Sequence, residues 1–203
     1  LTSDVWAFKG DGSIAASKPT MAALRQAFDT LDLPLTWVEG LGCDGSSLAG
    51  IQTHAVAGVE VQALPFGANS SARIWRDTAA THCVISSLGP TRKELSAPEQ
   101  THETLQNLQR NLAQADMTMK DVARTWFFLD DILSWYGEFN RVRNEFFERS
   151  ELRPGSLPAS TGVRGRNPTG AALTAAAWAV KPHEAASDVL HFVPSPKQCA
   201  ATA

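Results

Sequence analysis

The chain has 203 residues, 43% of them apolar and 19% charged, which suffices for one large core or two small ones and excludes a disordered chain. A formal net charge of -3 without any Lys/Arg cluster leaves no electrostatic footprint for a nucleic-acid backbone, so nucleic acid is not an expected partner. No apolar run approaches the roughly 20 residues a membrane helix needs, and Leu1 opens no basic-then-apolar leader, so a cytoplasmic protein without a membrane partner is expected.

In chain order, Thr20 is read as the cap of a helix in which Met21, Leu24, Phe28 and Leu31 recur at helical spacing. A short strand follows at 35–38, ended by Glu39 and Gly40. Residues 40–50 hold four glycines, two serines and an aspartate, the chemistry of a loop, read as a surface connection rather than a ligand lid. The segments 51–57, 58–64, 72–76 and 80–87 are short, rich in β-branched residues and separated by turn residues, and so read as strands. A helix at 97–115 places Leu105, Leu108, Leu112 and Ala115 on one face. Residues 121–129 read as a strand ended by Asp130 and Asp131, an acidic pair that caps the next helix rather than catalyses. That helix, 133–149, gathers Tyr136, Phe139, Val142, Phe146 and Phe147 on one side. The segments 157–163 and 171–180 read as a hairpin joined by the turn from Gly165 to Gly170. Residues 189–193 are β-like, and the Pro-bearing segment after them reads as a linker into further chain.

The order strands, helix, strand, helix, two strands predicts an α/β (α+β) fold, a mixed sheet with two helices on one face, preceded by a small α/β extension. Two helices cannot cover both sheet faces. Trp75, Trp126 and Trp178, with Phe127 or Phe128, are therefore expected to be hidden by self-association. Cys43, Cys83 and Cys199 are odd in number and lack a C-x-x-C spacing, so neither disulfides nor zinc is indicated, and no cofactor is expected. His54 and His82 lie on strands and could converge with Asp77 or Glu60 on a metal or an acid-base cluster, against the alternative of satisfied structural histidines. Cys83 beside His82 is a poor nucleophile, because adjacent strand residues point to opposite faces.

The run DVARTWFFLDD at 121–131, then Phe139-Asn140 and Phe146-Phe147, the LPASTGV stretch at 157–163 and the small-residue strand ending AWAV at 177–180 resemble the Rid family. That family is also called YjgF-like and was formerly labelled endoribonuclease L-PSP. The resemblance covers roughly residues 66–182 and implies a chorismate-mutase-like trimer with ligand sites in clefts between subunits. It divides the chain into an extension at 1–64, a Rid-like domain at 65–182 and a strand with a linker-like tail at 183–203. Rid deaminases hydrolyse enamines and imines such as 2-aminoacrylate. Their pattern implies an Arg directly after the Pro-Ala of the penultimate strand and a Glu in the final strand, where this chain has Ser160 and Ala176. Neither residue supplies a guanidinium fork or a titrating carboxylate, so ordinary imine deamination is not expected. The family's early tyrosine has no counterpart, since Tyr136 is the only Tyr. The extension, PASTG at 158–162 and the ending around 194–199 resemble the first half of longer two-domain relatives, including chorismatase-like enzymes, in which a second domain carries most of the chemistry.

Arg124, Arg164 and Arg166 are the candidate anion holders, with Ser160, Thr161 and Ser87 as hydroxyl donors to the same ligand. Against this stand a snorkelling or ion-paired Arg124 and a solvated turn for Arg164 and Arg166. The expected function is binding of a small carboxylated metabolite at an inter-subunit cleft. Two alternatives stay open: an active hydrolase, deaminase or lyase on a small metabolite, and the structural half of a two-domain enzyme.

Overall fold

A computed structural model describes residues 4–28, 35–40, 42–66, 70–153, 157–183, 189–191 and 193, with only the backbone described for 4–11 and 28. Strands β4 (Val61–Phe66), β5 (Ser70–Arg76), β6 (Ala80–Leu88), β7 (Val122–Leu129), β8 (Ala159–Arg164) and β9 (Leu173–Pro182) form a six-stranded sheet in the order β4-β5-β6-β9-β7-β8. Helices α2 (Ala97–Gln114) and α3 (Ile132–Arg149) lie side by side on one face of it. Pro98 stands in the first turn of α2, where a missing N–H costs nothing, and the Glu99 carboxylate accepts from the Ser96 N–H at 2.9 Å. Leu105, Leu108 and Leu112 then recur on one stripe and are fully buried against Ile85, Leu88, Phe127 and Leu129. Each such side chain contributes about 1.5–3 kcal/mol on leaving water. From α3, Phe139 meets Phe127 edge-on at 5.1 Å.

All neighbours in this sheet are antiparallel except β7 and β8, which are parallel. A parallel pair needs a crossover, and α3 supplies it. The expected hairpin of 157–163 with 171–180 is thereby corrected: β7 lies between β8 and β9. Turn residues mark where the chain bends, not which strands pair. The crossover delivers β8 to the free edge of β7, and residues 165–172 carry the chain past the end of β7 to its other side.

The N-terminal part forms its own three-stranded sheet, β2-β1-β3, from β1 (Asp4–Gly12), β2 (Leu35–Glu39) and β3 (Leu48–Val56). Helix α1 (Ser17–Phe28) packs Met21 and Leu24 toward Leu35 and Trp37 of β2. It starts three residues before the expected Thr20, because a single 3-10 turn capped by Ser13 leads into it. Strand β1 was not foreseen, since its two glycines and lysine spoil any alternation. The segment around 51–57 belongs to this smaller sheet, and the turn at Gly58, with φ +80°, sends β4 into the larger one. Strand β4 straddles the expected division at 64/65. Residues 189–191 and 193 form no strand; residue 192 and the tail from 194 lie outside the described residues. Among the described residues no helix is long and apolar enough to cross a membrane.

The sheet face away from α2 and α3 is covered in part by the chain itself. Trp75 and Val84 are buried under Val56, Val59 and Val61. Self-association is therefore not needed to hide Trp75, because the extension folds back over it. Strand β2 docks beside this patch. Gly165 lies against Val38 and Phe128, with no room for a Cβ. Gly165→Ala is expected to cost about 1–3 kcal/mol of unfolding free energy as overpacking. Val38→Ala in the same chain should recover part of that loss, a non-additivity readable by chemical denaturation of the single and double variants.

Candidate functional site

Alternation along β7 and β8 decides which candidates can meet. Arg124 pairs in register with Ala159, and Trp126 with Thr161, so all four point away from the helices. Arg124 Nη2 donates to Thr161 Oγ1 at 3.1 Å, and its guanidinium carbon stands 4.9 Å from the centre of the Trp126 ring. An exposed cation over an indole is worth about 0.5–1 kcal/mol. The indole and the hydroxyl thus fix the plane of an exposed guanidinium at the sheet edge. Such a plane, with several N–H donors toward solvent, is suited to a carboxylate.

Ser160 does not join this pair. It is in register with Thr125 and shares the side of Gly162, which lies against Tyr136 and Phe139 of α3. Ala176 is in register with Trp126, on the opposite face. The two positions at which the sequence departs from the Rid pattern therefore face different sides of this sheet. Ser87 sits at the bulge of β6 with φ +53°, and β2 engages both of its polar groups: its N–H donates to Thr36 Oγ1 at 3.0 Å and its Oγ donates to the Leu35 carbonyl.

Arg164 pairs with Leu129, five residues along β7 from Arg124, which places the two about 17 Å apart at strand spacing. Arg166 follows in the loop and donates from Nε and Nη2 to the two carboxylate oxygens of Glu39, while the Glu39 N–H donates to the Arg166 carbonyl at 2.7 Å. The hydrogen bond from Arg166 holds the Glu39 carboxyl below its ordinary pKa. The six candidates thus split into an Arg124–Thr161 pair, a distant Arg164–Arg166 loop, a Ser160 on the helix side and a Ser87 that anchors β2. Sequence reasoning missed Trp126 as the floor under Arg124, although its i+2 spacing on a strand carries that signal. It also missed Glu39, for which a partner 127 residues away leaves no local signal.

The second cluster is structural. His82 Nε2 stands 2.9 Å from Asp77 Oδ2, and the ring stacks on Trp75 at 4.9 Å. His54 lies on β3 of the other sheet, and no group of three metal-ligating side chains occurs among the described residues. Burial pushes the Cys83 thiol up to about 12, which leaves it inert as a nucleophile. The backbone N–H groups of Ala80 and Ala79, each 2.8 Å from Oδ1, and then His82 lower Asp77 to about 2. A depressed carboxyl stabilises the fold above its unfolded pKa and loses that contribution as pH falls through the folded value. Asp77→Asn should accordingly flatten the decline of stability between about pH 4 and pH 2, measured by denaturation midpoints across that window.

Compared with known families, residues 85–167 match endoribonuclease L-PSP. No curated protein matches the chain. Among solved structures, TdcF of E. coli with bound serine is 20% identical over 62% of this chain and 91% of its own, with a TM-score of 0.46. A YjgF-family protein of Neisseria meningitidis is 25% identical over 50% of this chain and 84% of its own, at 0.43. The YjgF gene product of E. coli is 21% identical over 62% and 90%, at 0.45. At these TM-scores the structural likenesses add no weight. The family match runs from the middle of β6 through α2, β7, α3 and β8, which takes in both covering helices and part of the six-stranded sheet. In those elements the chain is similar to the endoribonuclease L-PSP family.

Proposed function

We propose that this domain binds a small carboxylated metabolite at Arg124, in a cleft that a second copy of the chain completes, and that it does not perform ordinary imine deamination. The carrying observation is the exposed Arg124 guanidinium, laid over Trp126 and tied to Thr161. A bidentate carboxylate on such a group gains charge-assisted hydrogen bonds worth about 1.5–3 kcal/mol each. The second copy enters through β8, which is the edge of the sheet. Beside that edge Leu157, Val163 and Tyr136 stay 51%, 41% and 42% exposed, an apolar border that a neighbouring subunit would cover. The Rid resemblance supports three subunits. It also supports a division into an extension at 1–64, the domain at 65–182 and a tail at 183–203.

Against deamination stand Ser160 and Ala176. Neither can titrate or clamp a carboxylate, and their side chains leave opposite faces of the sheet. With 2-aminoacrylate generated enzymatically, ammonia release should equal the rate without the protein. A rate matching a true Rid deaminase overturns this part. With pyruvate as probe, Arg124→Gln should weaken binding by about tenfold or more in a calorimetric titration, and Arg124→Lys should restore only part of it. Light scattering should give a mass above one subunit; a monomer at working concentration removes the inter-subunit cleft.

A further inference from the structure

We infer that the Arg166 guanidinium is a second carboxylate site, separate from Arg124, and that Glu39 is its tethered occupant, displaced when a free small carboxylate binds. Both ends of the contact have the required form. Arg166 presents Nε and Nη2, the planar fork of a guanidinium, and Glu39 answers with both carboxylate oxygens. The side chains remain 57% and 31% exposed, so solvent and solutes reach the pair. Arg164 adds a second cation close enough to act on the Glu39 carboxyl, and Asp130 lies near Arg166 as the one opposing charge.

The contact is not required to hold β2 in place. That strand is docked by Ser87 on Leu35 and Thr36, by the Glu39 N–H on the Arg166 carbonyl, and by Val38 on Gly165. An exposed ion pair adds little to this. Glu39 can therefore leave the fork by side-chain rotation alone, with its backbone still bound to the loop. What remains is a guanidinium on a backbone anchored by the Glu39 N–H on the Arg166 carbonyl and by the Gly165 N–H on the Leu129 carbonyl. A tethered competitor raises the concentration of ligand needed by the inverse of the fraction of forks it leaves open. Removing its charge opens the site without dismantling it.

The test uses the full chain and succinate as probe, at constant ionic strength with chloride as the balancing anion; affinity is read by calorimetric titration in every variant, and the Arg166 Nε–Hε resonance locates the site where Arg166 is present. Wild-type protein should bind weakly, with that resonance moving only at high succinate. Glu39→Gln should bind about threefold to fivefold more tightly, since the competing carboxylate is gone. Glu39→Gln with Arg166→Gln should lose that gain, and Arg124→Gln should leave it intact. Equal affinity in wild type and Glu39→Gln overturns the inference, as does a tight site that survives loss of Arg166 or vanishes with Arg124. Should Glu39→Gln misfold, Glu39→Ala opens the same fork. Should both misfold, the wild-type resonance decides, and its failure to move at any succinate concentration overturns the site. Failure here leaves the Arg124 proposal standing, because the two sites share no residue.

Discussion

The contact between Val38 and Gly165 is the constraint on which the arrangement of both candidate sites depends. Gly165 has no room for a Cβ, so the loop that leaves β8 is pinned to a strand of the N-terminal sheet. Its backbone is held from the other side as well, by the Gly165 N–H on the Leu129 carbonyl at 2.8 Å. A loop fixed at these two points turns the chain past the end of β7 and lets β9 enter between β6 and β7. Without that turn β8 and β9 would be free to form the hairpin that their turn residues suggest, and Arg166 would not meet Glu39.

The same pinning explains why the anion-binding side chains do not converge. Sequence proximity places Arg164 and Arg166 near Ser160, yet a strand extends by about 3.3 Å per residue, so four residues along β8 already exceed the span of a small ligand. Pairing in register then joins Arg124 to the beginning of β8 and Arg164 to the end of β7. The Arg124 guanidinium rests on an indole near the open edge, and that of Arg166, two residues beyond Arg164, is closed by the Glu39 carboxylate from the extension. Arginines that look equivalent in the sequence are thus set in different surroundings, Arg124 open over Trp126 and Arg166 closed by Glu39.

How much of this was legible follows from the range of each interaction. The leucines of α2 repeat at the helical period and the β-branched and aromatic content of β7 marks a strand, so the two helices and a mixed sheet under them could be read locally. Strand β1 could not, because Gly10 and Gly12 and Lys9 erase its period, and its order comes from pairing with β2 and β3. Strand pairing was the weakest inference: the turn between Gly165 and Gly170 is chemically a hairpin turn, and only the crossover through α3 overrides it. Tyr136 shows the converse error of pattern. It fits the apolar stripe of α3 but lies 42% exposed beside Gly162 of β8.

The extension changes what an empty sheet face means in this fold. A two-helix cover leaves one face apolar, and burial of that face by a neighbouring subunit is the economical solution when nothing else is available. Here the chain supplies its own cover over Trp75 and Val84 and stops short of Trp126 and Thr161. The uncovered part is therefore narrow, lies at the β8 edge and contains the planar cation. Whatever closes over that strip meets a guanidinium already oriented by Trp126 and Thr161, and the entropy of ordering it has been spent in folding rather than in binding. Covering the rest of the face within the chain thus leaves the proposed association and ligand capture to the edge beside which Arg124 stands.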